Sequence, residues 1–319
     1  MIRRLPRVVS ATLVAGALLG GLSACYVGPA NTDCVPKASA GTASNAVSAS
    51  GTVLSQPDVT FPTPLRPKKT EVSVLQAGEG TPIQGDQFVS GYLTILNGTT
   101  GDVLDQSDYG AGTPSSFVID KLPIAGLKKG LQCAEVGSRV AVVVPGKEAF
   151  SDDSRPAGIA KDDSLVVVVD FKDAFLARAQ GIAQVAQEGL PSVVLAPDGR
   201  PGITIPAADP PKKLQVADLI SGNGRKVKSG DSVLVNYTGV LWKEGTVFDS
   251  SWQNGAPITI KATKGQAIPG FLDALKGAQV GDQILAVIPP DQAYGDQASG
   301  SVPAGSTLVF VIDVLGIVK

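Results

Sequence analysis

The sequence predicts an α+β fold that is mainly β, with one domain written twice. Each copy is an antiparallel half-barrel sheet wrapped around one short helix. Three observations predict this. Motifs recur at a nearly constant offset over about 95 positions. Each copy is made of short apolar or alternating runs that stop at Pro or Gly. Only one segment in each copy has helical spacing. The 37 Gly and 23 Pro among 319 residues favour turn-rich β structure, and the length suits two domains.

The chain opens with an address. Arg3, Arg4 and Arg7 precede an apolar run from Val8 to Leu22, which ends at Leu22-Ser23-Ala24-Cys25. A basic start, a short apolar core and small residues before a cut describe a secretory signal over residues 1–24. Cysteine directly after Leu-Ser-Ala resembles the bacterial lipobox, in which Cys25 takes a lipid and becomes the new N-terminus. The expectation is an exported protein, lipid-anchored on the outer face of the cytoplasmic membrane.

Cleavage leaves 27 − 3 = 24 basic against 29 acidic residues, a balance of −5 with no basic stripe. That argues against nucleic acid as a partner. Residues 25–69, rich in Ala, Ser, Thr and Pro, read as a flexible tether. Cys34 in that stretch and Cys133 in the first copy are free to oxidise outside the cytoplasm. They form either a disulfide tying the arm to the domain or two separate thiols. The chain has no histidine, which removes Ser-His-Asp and Cys-His catalysis and histidine metal sites.

The repeat is read from paired motifs. Gly78-Glu79-Gly80 matches Gly222-Asn223-Gly224 at 222 − 78 = 144. Gly85-Asp86 matches Gly230-Asp231, and Tyr92 matches Tyr237, at 145. Asp105 returns to 144 with Asp249, which implies a one-residue length difference in the loop after Asn97. Gly126, Val136-Gly137, Pro145 and Phe150 follow at 144, then Leu165 and Asp170 at 143. The copies span residues 70–176 and 212–319. In the second, Val233 to Thr238 alternates as a half-buried strand, and Gln283 to Ile288 and Thr307 to Leu315 are two more. Phe271 to Lys276 is the short helix, with Gly277 as its stop. Between the copies, residues 177–211 read as a helical and Pro-rich linker. Its helical composition begins at Asp173 and runs to Glu188.

The chemistry-bearing motifs lie in the second copy. They are Val235-Asn236-Tyr237-Thr238-Gly239, Val247-Phe248-Asp249-Ser250-Ser251, Ala267-Ile268-Pro269-Gly270-Phe271, Ala293-Tyr294-Gly295 and Thr307-Leu308-Val309-Phe310. In order and spacing this set resembles the FKBP-type peptidyl-prolyl cis-trans isomerases, over the full length of such a domain. The resemblance implies a proline pocket with Tyr237, Phe248, Asp249, Ile268, Phe271, Tyr294 and Phe310 as its catalytic set. Ile258, Ala267 and Val302 are implied as substrate-binding walls. It also implies the Tyr294 hydroxyl and the Ile268 N–H as the groups that hold the peptide carbonyl. Two positions depart from the family. Asn254 stands where an arginine often partners the pocket aspartate, and Ile258 where the rim is usually Phe. The implied partners are proline-containing segments of unfolded or exported proteins and a macrolide ligand. No cofactor or metal is implied, because isomerisation breaks no bond.

Matched position by position, the first copy keeps Tyr92, Asp105 and Ile124. Leu104 replaces Phe248, Leu127 replaces Phe271, Phe150 replaces Tyr294 and Val167 replaces Phe310. All are apolar, so folding survives while the pocket decays. The expected activity is therefore a foldase seated in the second copy. The rival reading is a proline-peptide docking or holdase module with little turnover, and a third makes the first copy a spacer. Gly222-Asn223-Gly224 opens no helix and is no nucleotide loop. Asp152-Asp153 and Asp162-Asp163 read as solvated loops.

Overall fold

The computed structural model describes residues 26–27, 34–110 and 112–318. The expected signal segment 1–24 and the expected lipidation site Cys25 lie outside the described residues. Among the described residues, no helix is long and apolar enough to cross a membrane.

Two antiparallel sheets carry the fold. In the first unit the strand order is Glu71–Gln76, Arg139–Val144, Leu165–Ala174, Phe88–Asn97, Val103–Gln106, with Ser115–Val118 also paired to Phe88–Asn97. The second repeats that order as Gln215–Ser221, Gln283–Ile288, Leu308–Val318, Ser232–Leu241, Val247–Ser250, with Ile258–Lys261 on Ser232–Leu241. Gly181–Ala183 and then Tyr26–Val27 extend the Gln215–Ser221 edge. Each sheet curls over one short helix, Ala125–Leu131 or Pro269–Leu275. Close approach explains the paired glycines in these helices. A Cβ on Gly126 would lie 2.2 Å from Val144, and one on Gly270 2.4 Å from Ile288.

Strand register corrects the match between the copies. Tyr92 lies opposite Asp170 and Leu93 opposite Val169, whereas Asn236 lies opposite Asp313 and Tyr237 opposite Ile312. Leu93, not Tyr92, therefore occupies the place of Tyr237, at 237 − 93 = 144. The loops agree with this single offset. Gly101 N–H donates to the Asn97 carbonyl as Gly245 N–H does to Leu241, so the loop after Asn97 has no extra residue. Successive strand residues face opposite sides, so a one-residue slip turns a pocket residue into a back-face residue. Tyr92 is buried on the back face and stacks on Tyr109, ring centroids 4.8 Å apart.

That back face overturns two expectations. Arg139–Val144, Gln283–Ile288 and most of Leu308–Val318 are buried at every residue, so both sides of each sheet need cover. Residues 34–69 are not a free tether over this stretch. Ala43, Val47 and Leu65 are buried against Leu96, Ala141, Val143, Val166 and Val168, and Cys34 is disulfide-bonded to Cys133. In the second unit Leu190, Val193, Ile203 and Ile205 cover Val240, Trp242, Leu285 and Val309. The predicted helix from Asp173 to Glu188 does not form. Asp173 and Ala174 complete a strand, and Gly181–Ala183 pairs with Gln215–Ser221. A short isolated helix is marginal in water, and an open sheet edge offers better hydrogen bonding to this segment.

One buried carboxylate organises each back face. Asp170 receives Arg139 through Nε (2.6 Å) and Nη2 (2.7 Å), and also the Leu54 N–H (2.6 Å). The same guanidinium donates to the carbonyls of Ser50, Gly51, Thr52 and Ser55, so its donors are fully used. Asp313 takes the equivalent place and accepts from the Ala179 N–H and from Gln283 Nε2, each at 2.8 Å. Here a neutral amide replaces the guanidinium. Burial pushes the Asp313 carboxyl up to about 6, against the lowering effect of the Ala179 and Gln283 hydrogen bonds and the Arg178 charge.

Arg139→Leu strands a buried carboxylate and several carbonyls. It should cost about 3–5 kcal/mol of first-unit stability, read by chemical denaturation. Asp313 sets an opposite test. Its folded-state pKa exceeds the unfolded value, so folding is favoured by proton uptake. This contribution is full below the ordinary carboxylate range and is lost as pH rises through about 6. Thermal scans should show the second unit weakening between about pH 4 and pH 7, and Asp313→Asn should flatten that slope.

Candidate functional site

The concave face of the second sheet carries four aromatic rings. Tyr237 comes from the central strand, Phe310 from its neighbour, Phe271 from the helix and Phe248 from the edge strand. Phe310 stands edge-on to Phe271 (centroids 5.2 Å, 90°) and to Phe248 (5.5 Å, 90°). Tyr237 meets Phe271 at 6.2 Å and 88°, and Phe310 at 6.1 Å. Edge-to-face contacts of this kind are favourable for aromatic quadrupoles and fix ring orientation. The register shift between Gly239 and Val240 adjoins this box. A Cβ on Gly239 would meet the Phe248 ring at 2.5 Å, so only glycine leaves room for it.

The box has one polar corner. The Tyr237 hydroxyl donates to Asp249 Oδ2, and Asn254 Nδ2 donates to Asp249 Oδ1 at 3.1 Å. The amide of Asn254 thus fills the role that the resemblance gave to an arginine, with a neutral donor. Burial raises the Tyr237 hydroxyl well above the ordinary phenol range. The hydrogen bond to Asp249, its charge and the nearby Tyr294 act in the same direction. The hydroxyl therefore stays a protonated donor at any physiological pH. Sequence reasoning passed over Ser251. Its buried Oγ accepts the Tyr237 N–H (2.9 Å) and donates to Asn236 Oδ1 (2.9 Å), pinning the turn after Asp249 to the central strand. A second serine directly after Asp249-Ser250, in a turn, is the signal that could have found it.

The remaining expected residues surround the box. Val302 is buried in the same cluster, and Ile258, Ala267 and Ile268 pack against it half-buried. Ile268 caps the helix, and its carbonyl accepts from the Phe271 and Leu272 N–H groups. Among the described residues its own N–H has no hydrogen-bond partner. Tyr294 is 41% exposed and close enough to Tyr237 to affect its ionisation. The site thus offers an apolar box, with Ile268 packed against it and the partly exposed Tyr294 nearby. Among the described residues, no group of three or more His, Cys, Asp or Glu side chains could hold a metal.

The first unit lacks the box. Leu93, Leu127 and Val167 face its concave side where Tyr237, Phe271 and Phe310 stand in the second. Leu104 is 41% exposed, and Asp105 has turned to accept its neighbour's N–H, Gln106, at 2.8 Å. The expectation that Tyr92 keeps the place of Tyr237 beside Asp105 is corrected. Tyr92 points away, and Asp105 faces no phenol.

The sequence pattern of the family described as FKBP-type peptidyl-prolyl cis-trans isomerase matches residues 78–172 and 223–315. An FK506-binding protein of Streptomyces anulatus is 34% identical over 120 residues, covering 37% of this chain and 97% of that protein. A probable FK506-binding protein of Corynebacterium glutamicum is 37% identical over 116 residues, covering 36% of this chain and 97% of that protein. The crystal structure of the three FKBP domains of wheat FKBP73 aligns over 78% of this chain and 95% of its own. Its sequence identity is 21% and its TM-score 0.35.

Phenol titration tests the polar corner. Phenolate absorbance at about pH 11 should be the same in the full chain and in Tyr237→Phe, because Tyr237 does not ionise there. A lower signal in the variant would show that the hydroxyl is not held by Asp249 and burial.

Proposed function

The chain belongs to the FKBP-type peptidyl-prolyl cis-trans isomerases, and from that premise we propose that turnover resides in the second unit and serves exported proteins. The observation that carries the assignment is the aromatic box with its Tyr237–Asp249 corner, present in one unit and absent from the other.

The chemistry needs no more than this box. Rotation about an X–Pro bond faces a barrier of about 18–20 kcal/mol, because the planar amide is conjugated. The twisted amide has lost that conjugation and the charge separation it brings, so it is better accommodated in an apolar, water-poor site than either planar form. Phe271 forms the floor for the proline ring, with Tyr237, Phe248 and Phe310 as walls. The Ile268 N–H and the Tyr294 hydroxyl hold the peptide carbonyl in the geometry that the twisted form prefers. Binding the twisted form more tightly than the planar ones lowers the barrier. Asp249, held by Tyr237 and Asn254, fixes the polar corner and positions the Tyr237 ring.

We assign the first unit a scaffold role, since Leu93, Leu104, Leu127 and Val167 leave it without aromatic walls. The substrate context follows from the N-terminal residues: a signal over 1–24 and a lipid on Cys25 would hold the protein on the outer face of the cytoplasmic membrane. Its substrates there are proline-containing segments of exported chains. A macrolide of the FK506 type should compete for the same box, as the relatives' names suggest.

Transplanting the first unit's residues into the second tests the assignment while keeping both cores apolar. In a prolyl-peptide isomerisation assay on the full chain, Tyr237→Leu, Phe271→Leu and Tyr294→Phe together should lower kcat/KM by about 10–100-fold. Leu104→Ala in the first unit should leave it unchanged. Full activity in the triple variant would place turnover elsewhere.

A further inference from the structure

Beside the aromatic box, on the other side of the Ala267-Ile268-Pro269 segment, lies a recess of about 490 Å³. Val227, Ala267, Pro269, Leu272 and Leu275 line it, so its wall is mainly apolar. Lys228, Lys264 and Lys276 stand exposed on its rim; the carboxylates beside them are Asp273 in the lining and Asp231, which accepts from the Lys228 N–H (2.8 Å) and feels its charge. Among the described residues, none of the three lysines is ion-paired.

The first unit shows what its counterpart of this recess contains. Ile83 is the equivalent of Val227, because Ile83 N–H donates to Ala134 as Val227 N–H donates to Ala278. Cys133 likewise stands at the place of Gly277. At that location the first unit is covered by its own chain. Cys34 is bonded to Cys133 and its Sγ lies 3.6 Å from the Ile83 carbonyl oxygen, and Ile83 is fully buried. In the second unit no segment of the described chain fills this place, and the neighbouring residues are lysines.

We propose that this recess is a second subsite for the polypeptide substrate, taking an apolar side chain followed by acidic residues close to the proline. The inference rests on the reading of the second unit as the isomerase. Three features define the occupant. The recess and the box share the segment 267–269, so a chain whose carbonyl meets the Ile268 N–H is within a residue or two of the recess. Its wall calls for an aliphatic side chain, and its three unpaired lysines call for carboxylates. The covered counterpart shows that this location on the fold accepts polypeptide.

The test uses the full chain and the variant Lys228→Glu/Lys264→Glu/Lys276→Glu, whose changes are all at exposed positions. Three labelled peptides are compared: a four-residue X–Pro peptide, and the same peptide extended on either side by leucine and two glutamates. The proposal expects at least one extended peptide to bind roughly fivefold or more tightly than the short one. That gain should vanish in the variant, while isomerisation of the short peptide is unchanged. Equal binding of short and extended peptides, or a gain that survives charge reversal, overturns the subsite. Charge-dependent binding of an extended peptide with no turnover of any peptide would sink the isomerase reading and leave the recess standing as a peptide site.

Discussion

A carboxylate buried in the middle of a sheet must be surrounded by donors, and this requirement shapes both units. Asp170 and Asp313 occupy the same position on the strand that sits between two others, facing away from the helix. Both are fully buried, away from bulk solvent. Each therefore draws in the backbone of the segment that precedes its domain: Leu54 donates to one and Ala179 to the other. The arm and the linker are thus structural parts of their domains. With the back faces sealed in this way, the concave face is the side left free to form a binding box.

The two units satisfy the requirement with different chemistry. Arg139 gives Asp170 an opposite charge and spends its other donors on arm carbonyls, so the first unit's arm is held by ionic hydrogen bonds and a disulfide. A bidentate pair of this kind is strong only because all its donors and acceptors are used. Gln283 offers Asp313 one neutral donor, which only partly offsets the burial that raises its carboxyl. The unit with the better-anchored back face is the one whose box has decayed. The unit with the softer anchor kept its box.

Much of this was legible in the sequence, and the failures have physical causes. Gln283–Ile288 was readable to the residue because Pro289 stops it; the short helix was read from Phe271 with Gly277 as its stop, and it begins two residues earlier, at Pro269. The box was legible through motifs that resemble the family in order and spacing; read singly, its aromatics would have passed for core residues. The register between copies was not. Tyr92 and Tyr237 look alike in sequence, yet identity of residue type says nothing of which face a strand residue takes, and one position decides it. The cover on the back faces was signalled, but by a different feature from the one read. Runs such as Arg139-Val140-Ala141-Val142-Val143-Val144 have no polar alternation, which means burial on both sides. A sheet apolar on both sides leaves no room for the preceding Ala- and Pro-rich arm to float free.

The polar corner shows how little a site of this kind needs. An arginine beside Asp249 would have added a charge and a long side chain; Asn254 supplies one hydrogen bond and no charge. The substitution is tolerable because Asp249 does not have to transfer a proton. Its task is to accept from Tyr237, and that phenol is kept protonated by burial and by the very carboxylate it contacts. Replacing a charged partner by a neutral one leaves the acceptor's geometry intact while making the corner less polar. For a reaction in which the favoured species is an amide stripped of its conjugation, a less polar corner is compatible with rate enhancement, provided the rings hold their edge-to-face angles. That condition is met by packing alone. Phe310 touches Tyr237, Phe248 and Phe271, so the ring on the strand next to the central one, rather than any ionisable group, is the keystone of the box.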